Sequence, residues 1–147
     1  MEFVGRDLAL LAKTLRARFE LRLADVGATF PAWAVLSCAI AQDGLSQREL
    51  AERMGIEGAT LTRHLDRLEA RGLIERRRDA TDRRILRVSP TPAGRRLHTR
   101  LASVAASLDA DLVAGLSPEE IAALRRLLAH LLNNLEERHA PVHATAG

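Results

Sequence analysis

Between Leu45 and Ser89 the chain packs two short amphipathic helices and an arginine-rich hairpin in direct succession, and that order limits its fold more than any other feature. Ser46-Gln47-Arg48-Glu49 places Glu three residues after Ser, a capping box, and predicts a short helix to about Met54. Gly55 breaks it and permits the positive φ that such a turn needs. A second helix runs from about Glu57 or Gly58 to Ala70, with Leu61, Leu65 and Leu68 on one face and Arg71-Gly72 as its stop. Two short helices joined by a tight glycine turn form a helix-turn-helix, and small Ala51 on the first lets them cross closely. The outward face of the second carries Gly58, Ala59, Thr60, Thr62, Arg63, Asp66 and Arg67. A helix of this kind reads base edges in the DNA major groove with its N-terminal residues. Arg63 suits a bidentate contact to guanine, and Thr60 or Thr62 a thymine methyl or a phosphate. The same pattern also describes a helical hairpin with a solvated charged face.

The segment C-terminal to these helices favours the DNA-reading alternative. Leu73–Arg78 reads as a strand, Asp79–Arg83 as a turn and Arg84–Ser89 as a returning strand, a two-stranded hairpin that must pack on the helices to persist. Helix-turn-helix and then hairpin is the order of a winged helix. The hairpin carries Arg76, Arg77, Arg78, Arg83, Arg84 and Arg87 against Asp79 and Asp82. From Arg63 to Arg100 there are twelve Arg against five acids, a net of +7, while the remainder has ten basic and fourteen acidic residues, a net of −4. A clustered excess of this kind is a nucleic-acid footprint. Of the basic residues 21 are Arg and one is Lys13; a GC-rich genome explains that bias but not the clustering. Arg on a thin hairpin tip can enter the electronegative minor groove. Asp82 would repel phosphate there unless it braces a neighbouring Arg, so it is read as a buttress, the alternative being an ordinary turn residue.

The flanks are helical. Leu8, Leu11, Leu15, Phe19 and Leu23 mark a first helix from about Val4 to Val26, and Phe30-Pro31 opens a second, capped by Thr29, that Trp33, Val35, Leu36 and Ile40 make mostly apolar. After Pro90 and Pro92 a long helix from about Ala93 to Ala114 carries Leu97, Leu101, Val104, Leu108 and Leu112 in a stripe. Ser117-Pro118-Glu119-Glu120 starts the last helix, expected to reach about Arg138. Its leucines, from Leu124 to Leu135, cover more surface than one terminal helix of a monomer buries, which argues for a partner helix. At 147 residues the chain suffices for a core without staples, and a 47% apolar, 28% charged balance excludes wholesale disorder. No membrane span is expected, and an acid-containing N-terminus without an apolar leader reads as cytoplasmic.

Asp82-Arg83-Arg84-Ile85-Leu86-Arg87-Val88-Ser89-Pro90-Thr91-Pro92-Ala93-Gly94 resembles the wing signature D-x-R-x-x-x-V-x-L-T-x-x-G of the MarR family of transcription regulators. Leu45–Ala51, Gly55–Leu61, Leu65–Glu69, Gly72–Ile74, Ala114–Ser117 and Asn134–Glu136 are similar to its SlyA-like branch, so the resemblance covers nearly the whole chain. It implies a mainly α, winged helix-turn-helix protein with a DNA-binding lobe over 31–92, dimerisation helices over 1–30 and 93–140, and a flexible tail over 141–147. It implies a homodimer on palindromic operators of double-stranded DNA, with recognition-helix contacts at Ala59, Thr60 and Arg63. It also implies a minor-groove contact by Arg84 buttressed by Asp82, and control by small phenolic or aromatic carboxylate ligands in a crevice beside the DNA lobe. With the charge pattern, the expected DNA-binding set is Ala59, Thr60, Thr62, Arg63, Arg67, Arg78, Arg83 and Arg84. Two positions depart from the signature. Ala59 stands where Pro is common, and Pro90 replaces Leu, which suggests that the second strand ends early.

Lys13, Arg16 and Trp33 are candidates for the crevice, two cations for a carboxylate and an indole for stacking, with Trp33 as plain core the competing reading. The single Cys38, inside an apolar helix, reads as a small core residue rather than an oxidant sensor, and excludes an internal disulfide or a cysteine zinc cluster. No catalytic, metal or cofactor motif is present, so no enzymatic activity, metal or cofactor is expected. The competing function classes are a dimeric adaptor of the same fold, or an architectural DNA binder without specific operator or ligand control.

Overall fold

The computed structural model describes residues 3–137. Its elements are α1 (Val4–Asp25), α2 (Phe30–Ala41), β1 (Leu45–Ser46), α3 (Gln47–Met54), α4 (Gly58–Ala70), β2 (Ile74–Arg78), β3 (Leu86–Pro90), α5 (Pro92–Leu112) and α6 (Pro118–Glu137). Local hydrogen bonds explain most boundaries. Thr29 accepts from the Ala32 amide at 3.3 Å at the start of α2. Ser46 and Glu49 form a complete capping box on α3, with Glu49 accepting from the Ser46 amide at 2.8 Å and Ser46 from the Glu49 amide at 3.2 Å. Ser117 and Glu120 repeat it on α6. Gly55 ends α3 with φ +63°, where a side chain would be strained.

The sheet differs from the expected hairpin. It has three antiparallel strands in the order β1-β3-β2, because Leu45–Ser46 pairs with Val88 and Arg87. The returning strand starts at Leu86, not Arg84, because the Ile85 amide donates to the Asp82 carbonyl at 3.0 Å and keeps Arg84 and Ile85 in the turn. The first strand starts at Ile74 rather than Leu73. Pro90 does not shorten β3: it is buried and pairs with Ile74. The Thr91 amide donates to the Leu73 carbonyl at 3.1 Å, so by antiparallel alternation the amide that Pro90 lacks would face away from β2, on the side where β1 has already ended. The long helix stops at Leu112 rather than Ala114. Arg138 and the 141–147 tail lie outside the described residues.

The chain divides into two compact units, one up to Leu108 and one from Asp109. The first has one core, drawn from Phe19 and Leu23 of α1, Val35 and Leu36 of α2, Leu45, Leu50, Leu61, Leu65, Ile74, Val88, and Leu97 and Leu101 of α5. Each fully buried leucine contributes roughly 1.5–3 kcal/mol relative to exposure. Thus α1 and α5 help to hold the lobe. Gly94 is where α5 meets the sheet: a Cβ there would lie 2.0 Å from the Leu73 carbonyl oxygen. Thr91 completes the junction, donating from its hydroxyl to the Gly72 carbonyl at 2.6 Å and accepting from the Gly94 amide at 3.1 Å. The Thr91-x-x-Gly94 part of the signature is therefore a packing device.

In the second unit, α6 leaves Leu124, Leu127, Leu128, Leu131, Leu132 and Leu135 exposed. No single helix among the described residues is long and apolar enough to cross a membrane.

Candidate nucleic-acid interface

Helix α4 buries Leu61, Leu65 and Leu68, and this turns the other residues of the helix outward. Ala59, Arg63 and Arg67 are exposed, Thr60 and Thr62 half-buried. The guanidinium groups of Arg63 and Arg67 make no ion pair or hydrogen bond among the described residues, so both forks are available to a base or phosphate. Thr62 donates its hydroxyl to the Gly58 carbonyl at 2.9 Å. It can therefore meet DNA as an acceptor or through its methyl group, but not as a phosphate donor while that bond holds. His64 is half-buried between these arginines, and burial first, then Arg67 and Arg63, pushes it below the ordinary histidine range.

Asp66 and Glu69, also on α4, are turned toward the wing. Arg76 of β2 donates from Nη2 to Asp66 at 2.7 Å and to Glu69 at 2.6 Å, and its amide donates to Glu69 at 3.0 Å. Its side chain is 16% exposed. The Arg76 hydrogen bond holds the Glu69 carboxyl below its usual range. Arg76 thus pairs with two carboxylates of α4, leaving one net negative charge among the three groups, and ties that helix to the sheet.

The wing tip is built by two aspartates. Asp79 Oδ1 accepts from the Thr81 hydroxyl at 2.7 Å, the Thr81 amide at 2.8 Å and the Asp82 amide at 3.0 Å, while Oδ2 is paired with Arg87. These bonds, the Thr81 hydroxyl foremost, hold Asp79 far below the ordinary carboxylate range. Asp82 accepts from Arg84 three times: from its amide at 3.0 Å, from Nε at 3.1 Å and from Nη2 at 3.1 Å. Yet the Arg84 side chain is 91% exposed. Its Nη1 and the second Nη2 hydrogen remain free to donate. An exposed but immobilised guanidinium is a pre-ordered donor.

The six hairpin arginines therefore do different work. Arg76 and Arg87 are internal braces, Arg77 pairs with Glu75 at 3.0 Å, and Arg78 donates to the Arg83 carbonyl at 2.6 Å. The Arg83 guanidinium is exposed and unpaired among the described residues. The sequence reading missed Asp79, Arg76 and Arg87 as organisers. Asp-x-Thr at the start of a turn is the local signal that reveals Asp79; the two arginines carry no local signal.

Of the crevice candidates, Arg16 lies 3.3 Å from the Phe30 ring centroid and pairs with Glu20 at 2.6 Å. Trp33 is half-buried against the core, 5.0 Å from Phe19 and 5.4 Å from Phe30. Lys13 is exposed. Cys38 is a free thiol, half-buried against the same core.

A profile of the MarR family matches residues 29–86. The solved transcriptional regulator PA3341 is 37% identical, covering 92% of this chain and 99% of its own, with a TM-score of 0.78. BpsR of Bordetella bronchiseptica, whose DNA binding is regulated by 6-hydroxynicotinic acid, is 29% identical over 88% of this chain and 98% of its own, TM-score 0.77. MepR of S. aureus, solved in complex with DNA, is 25% identical over 90% of this chain and 96% of its own, TM-score 0.75.

Proposed function

The chain belongs to the MarR family, and from that premise we propose that it is a homodimeric, sequence-specific repressor of transcription whose grip on palindromic operators is relieved by a small aromatic carboxylate or phenolic ligand. The observation that carries this reading is the Asp82–Arg84 fork, a cation that is almost wholly exposed and yet held by two hydrogen bonds to a carboxylate that also takes the Arg84 amide. Solvation alone gives an exposed arginine no reason to be fixed; presentation to a polyanion does. In this reading Ala59, Thr60, Thr62, Arg63 and Arg67 face the major groove, and Arg78, Arg83 and Arg84 the backbone and minor groove. The exposed leucines of α6 and the apolar residues of α1 supply the dimer contact, covered by a second copy of the chain. Each protomer then reads one half-site, the two separated by about one helical turn of DNA. Phosphate contacts by arginine supply most of the affinity, which falls steeply with salt. The protein is a binder, not an enzyme.

The effector reading rests on Arg16 and Trp33, which both pack on Phe30, with Lys13 three residues before Arg16 on the same helix. BpsR offers the parallel of an aromatic carboxylate ligand. Titration with salicylate-like acids quenches the only Trp if this is the site; a flat titration to millimolar concentration removes it.

Selection of bound sequences from a random duplex pool at near-physiological salt tests the reading as a whole. Enrichment of a pseudo-palindrome with half-sites roughly 10 bp apart is the expected result. A folded dimer that enriches nothing is an architectural binder or an adaptor, and the base-contact assignments on α4 then fall.

A further inference from the structure

One guanidinium ties the wing tip to the rest of the lobe. Arg87, on β3, donates from Nη1 to the Gly44 carbonyl at 2.9 Å, in the turn that leads into β1, and from Nε to Asp79 Oδ2. The Asp79 side chain is 11% exposed, and its other oxygen gathers the Thr81 and Asp82 amides. Asp82 in turn holds Arg84. An unbroken chain of hydrogen bonds thus runs from Gly44 through Arg87, Asp79 and Asp82 to Arg84. Register adds a second reason for the arrangement. Arg87 stands directly opposite Arg77 across the hairpin, two like charges that repel unless each is drawn to a carboxylate. Glu75 takes Arg77 and Asp79 takes Arg87.

We propose that Arg87 is a positioning residue: it does not contact DNA, and through Asp79 it fixes the tip that presents Arg84. Nε and one Nη1 hydrogen of its guanidinium are engaged, while Nη2 and the second Nη1 hydrogen carry no partner among the described residues, so the salt slope of DNA binding is what separates a brace from a phosphate ligand. Released from this bridge, the tip beyond Arg78 and Leu86 would swing on its hairpin, and DNA binding would bear the cost of ordering it. Lysine, a point charge without the planar fork, cannot hold both partners in this geometry.

Because this role rests on the wing contact proposed above, the test has one readout without DNA and one with it, both on the full chain. In the free protein, Arg87→Gln and Arg87→Lys are expected to raise amide hydrogen exchange at Thr81, Asp82 and Ile85 about tenfold, leaving α4 unchanged. Tip exchange unchanged in Arg87→Lys, which keeps the charge and relieves concern over misfolding, overturns the proposal. On the selected operator, Arg87→Gln is expected to weaken binding about tenfold with an unaltered salt slope, and to cost little more once Arg84→Ala is present. A salt slope shallower by about one phosphate contact overturns it and makes Arg87 a DNA ligand. If Arg84→Ala binds like the wild type while tip exchange rises in the Arg87 variants, the minor-groove reading fails and the hold of Arg87 on the tip stands.

Discussion

In the proposed reading, helix α4 and the wing would offer their cations to DNA in opposite ways. On α4, Arg63 and Arg67 are exposed and their guanidinium groups carry no partner among the described residues, so their forks are free to search for a base edge. On the wing, Arg84 is exposed and already clamped by Asp82, on a tip that Asp79 has folded. A free arginine loses side-chain entropy when it binds but adapts to the base pair it meets. A clamped one loses less and reads shape, since it cannot reach for a different partner. Between the two regions lies Arg76, the best-buried hairpin arginine with an ion pair, which joins Asp66 and Glu69 of α4 to β2. It makes helix and wing parts of one body, so under the proposed function base reading and shape reading would be scored together.

That shared body is the first thing to break. Gly94→Ala puts a Cβ 2.0 Å from the Leu73 carbonyl oxygen, a backbone atom that cannot swing aside. The expected loss is on the order of 3 kcal/mol of unfolding free energy, with DNA binding by helix and wing lost together. Urea denaturation measures it. A variant as stable as the wild type means that the α5 junction gives way easily and does not set the wing.

Removing one cation from each region sharpens the contrast. Arg63→Ala is expected to weaken operator binding about tenfold to a hundredfold and to relax preference at one major-groove position. Arg84→Ala costs within the same range, but its effect tracks minor-groove width. Asp82→Asn keeps Arg84 and loses half of its brace, so it costs less than Arg84→Ala at that same position. Competition binding with single-base-pair operator variants separates the three. Equal, sequence-independent losses for Arg63→Ala and Arg84→Ala would reduce both to phosphate contacts.

Legibility in the sequence divides along the same line. The caps on α2, α3 and α6 join groups three residues apart, so side-chain chemistry announces them locally. That Asp82 braces a neighbouring arginine was suggested for the same reason, while Arg84 as that arginine came from the family resemblance. β1 was not, because a two-residue strand has no periodicity and exists only through its pairing with β3. Nor were Arg76 and Arg87 distinguishable from their neighbours in a run of like residues. Their partners lie seven to 43 residues away, and only the folded sheet brings them together. Pro90 misled because the ladder side on which its missing amide would fall depends on register.

The smallest expected effect is one of pH, and it separates the two regions without a mutation at either DNA-facing surface. His64 lines a cavity with Arg67, Arg71, Thr29 and Pro31, and burial with the adjoining Arg67 and Arg63 favours its neutral form. Its folded pKa is lowered, so below about pH 6.5 the unfolded chain binds the proton first and stability falls as pH drops. Asp79 and Asp82 are also lowered, but they are carboxylates. Their contribution is complete above the ordinary carboxylate range and is lost only on acidification well below pH 5. Between pH 7.5 and 5.5 the melting temperature is therefore expected to fall gently in the wild type and less in His64→Gln, while amide exchange at Thr81 and Asp82, corrected for the intrinsic pH dependence, stays level. A wing that loosens in that window would mean that its aspartates are not held as low as their hydrogen bonds imply, and the contrast between an adaptable helix and a pre-ordered wing would weaken at the wing.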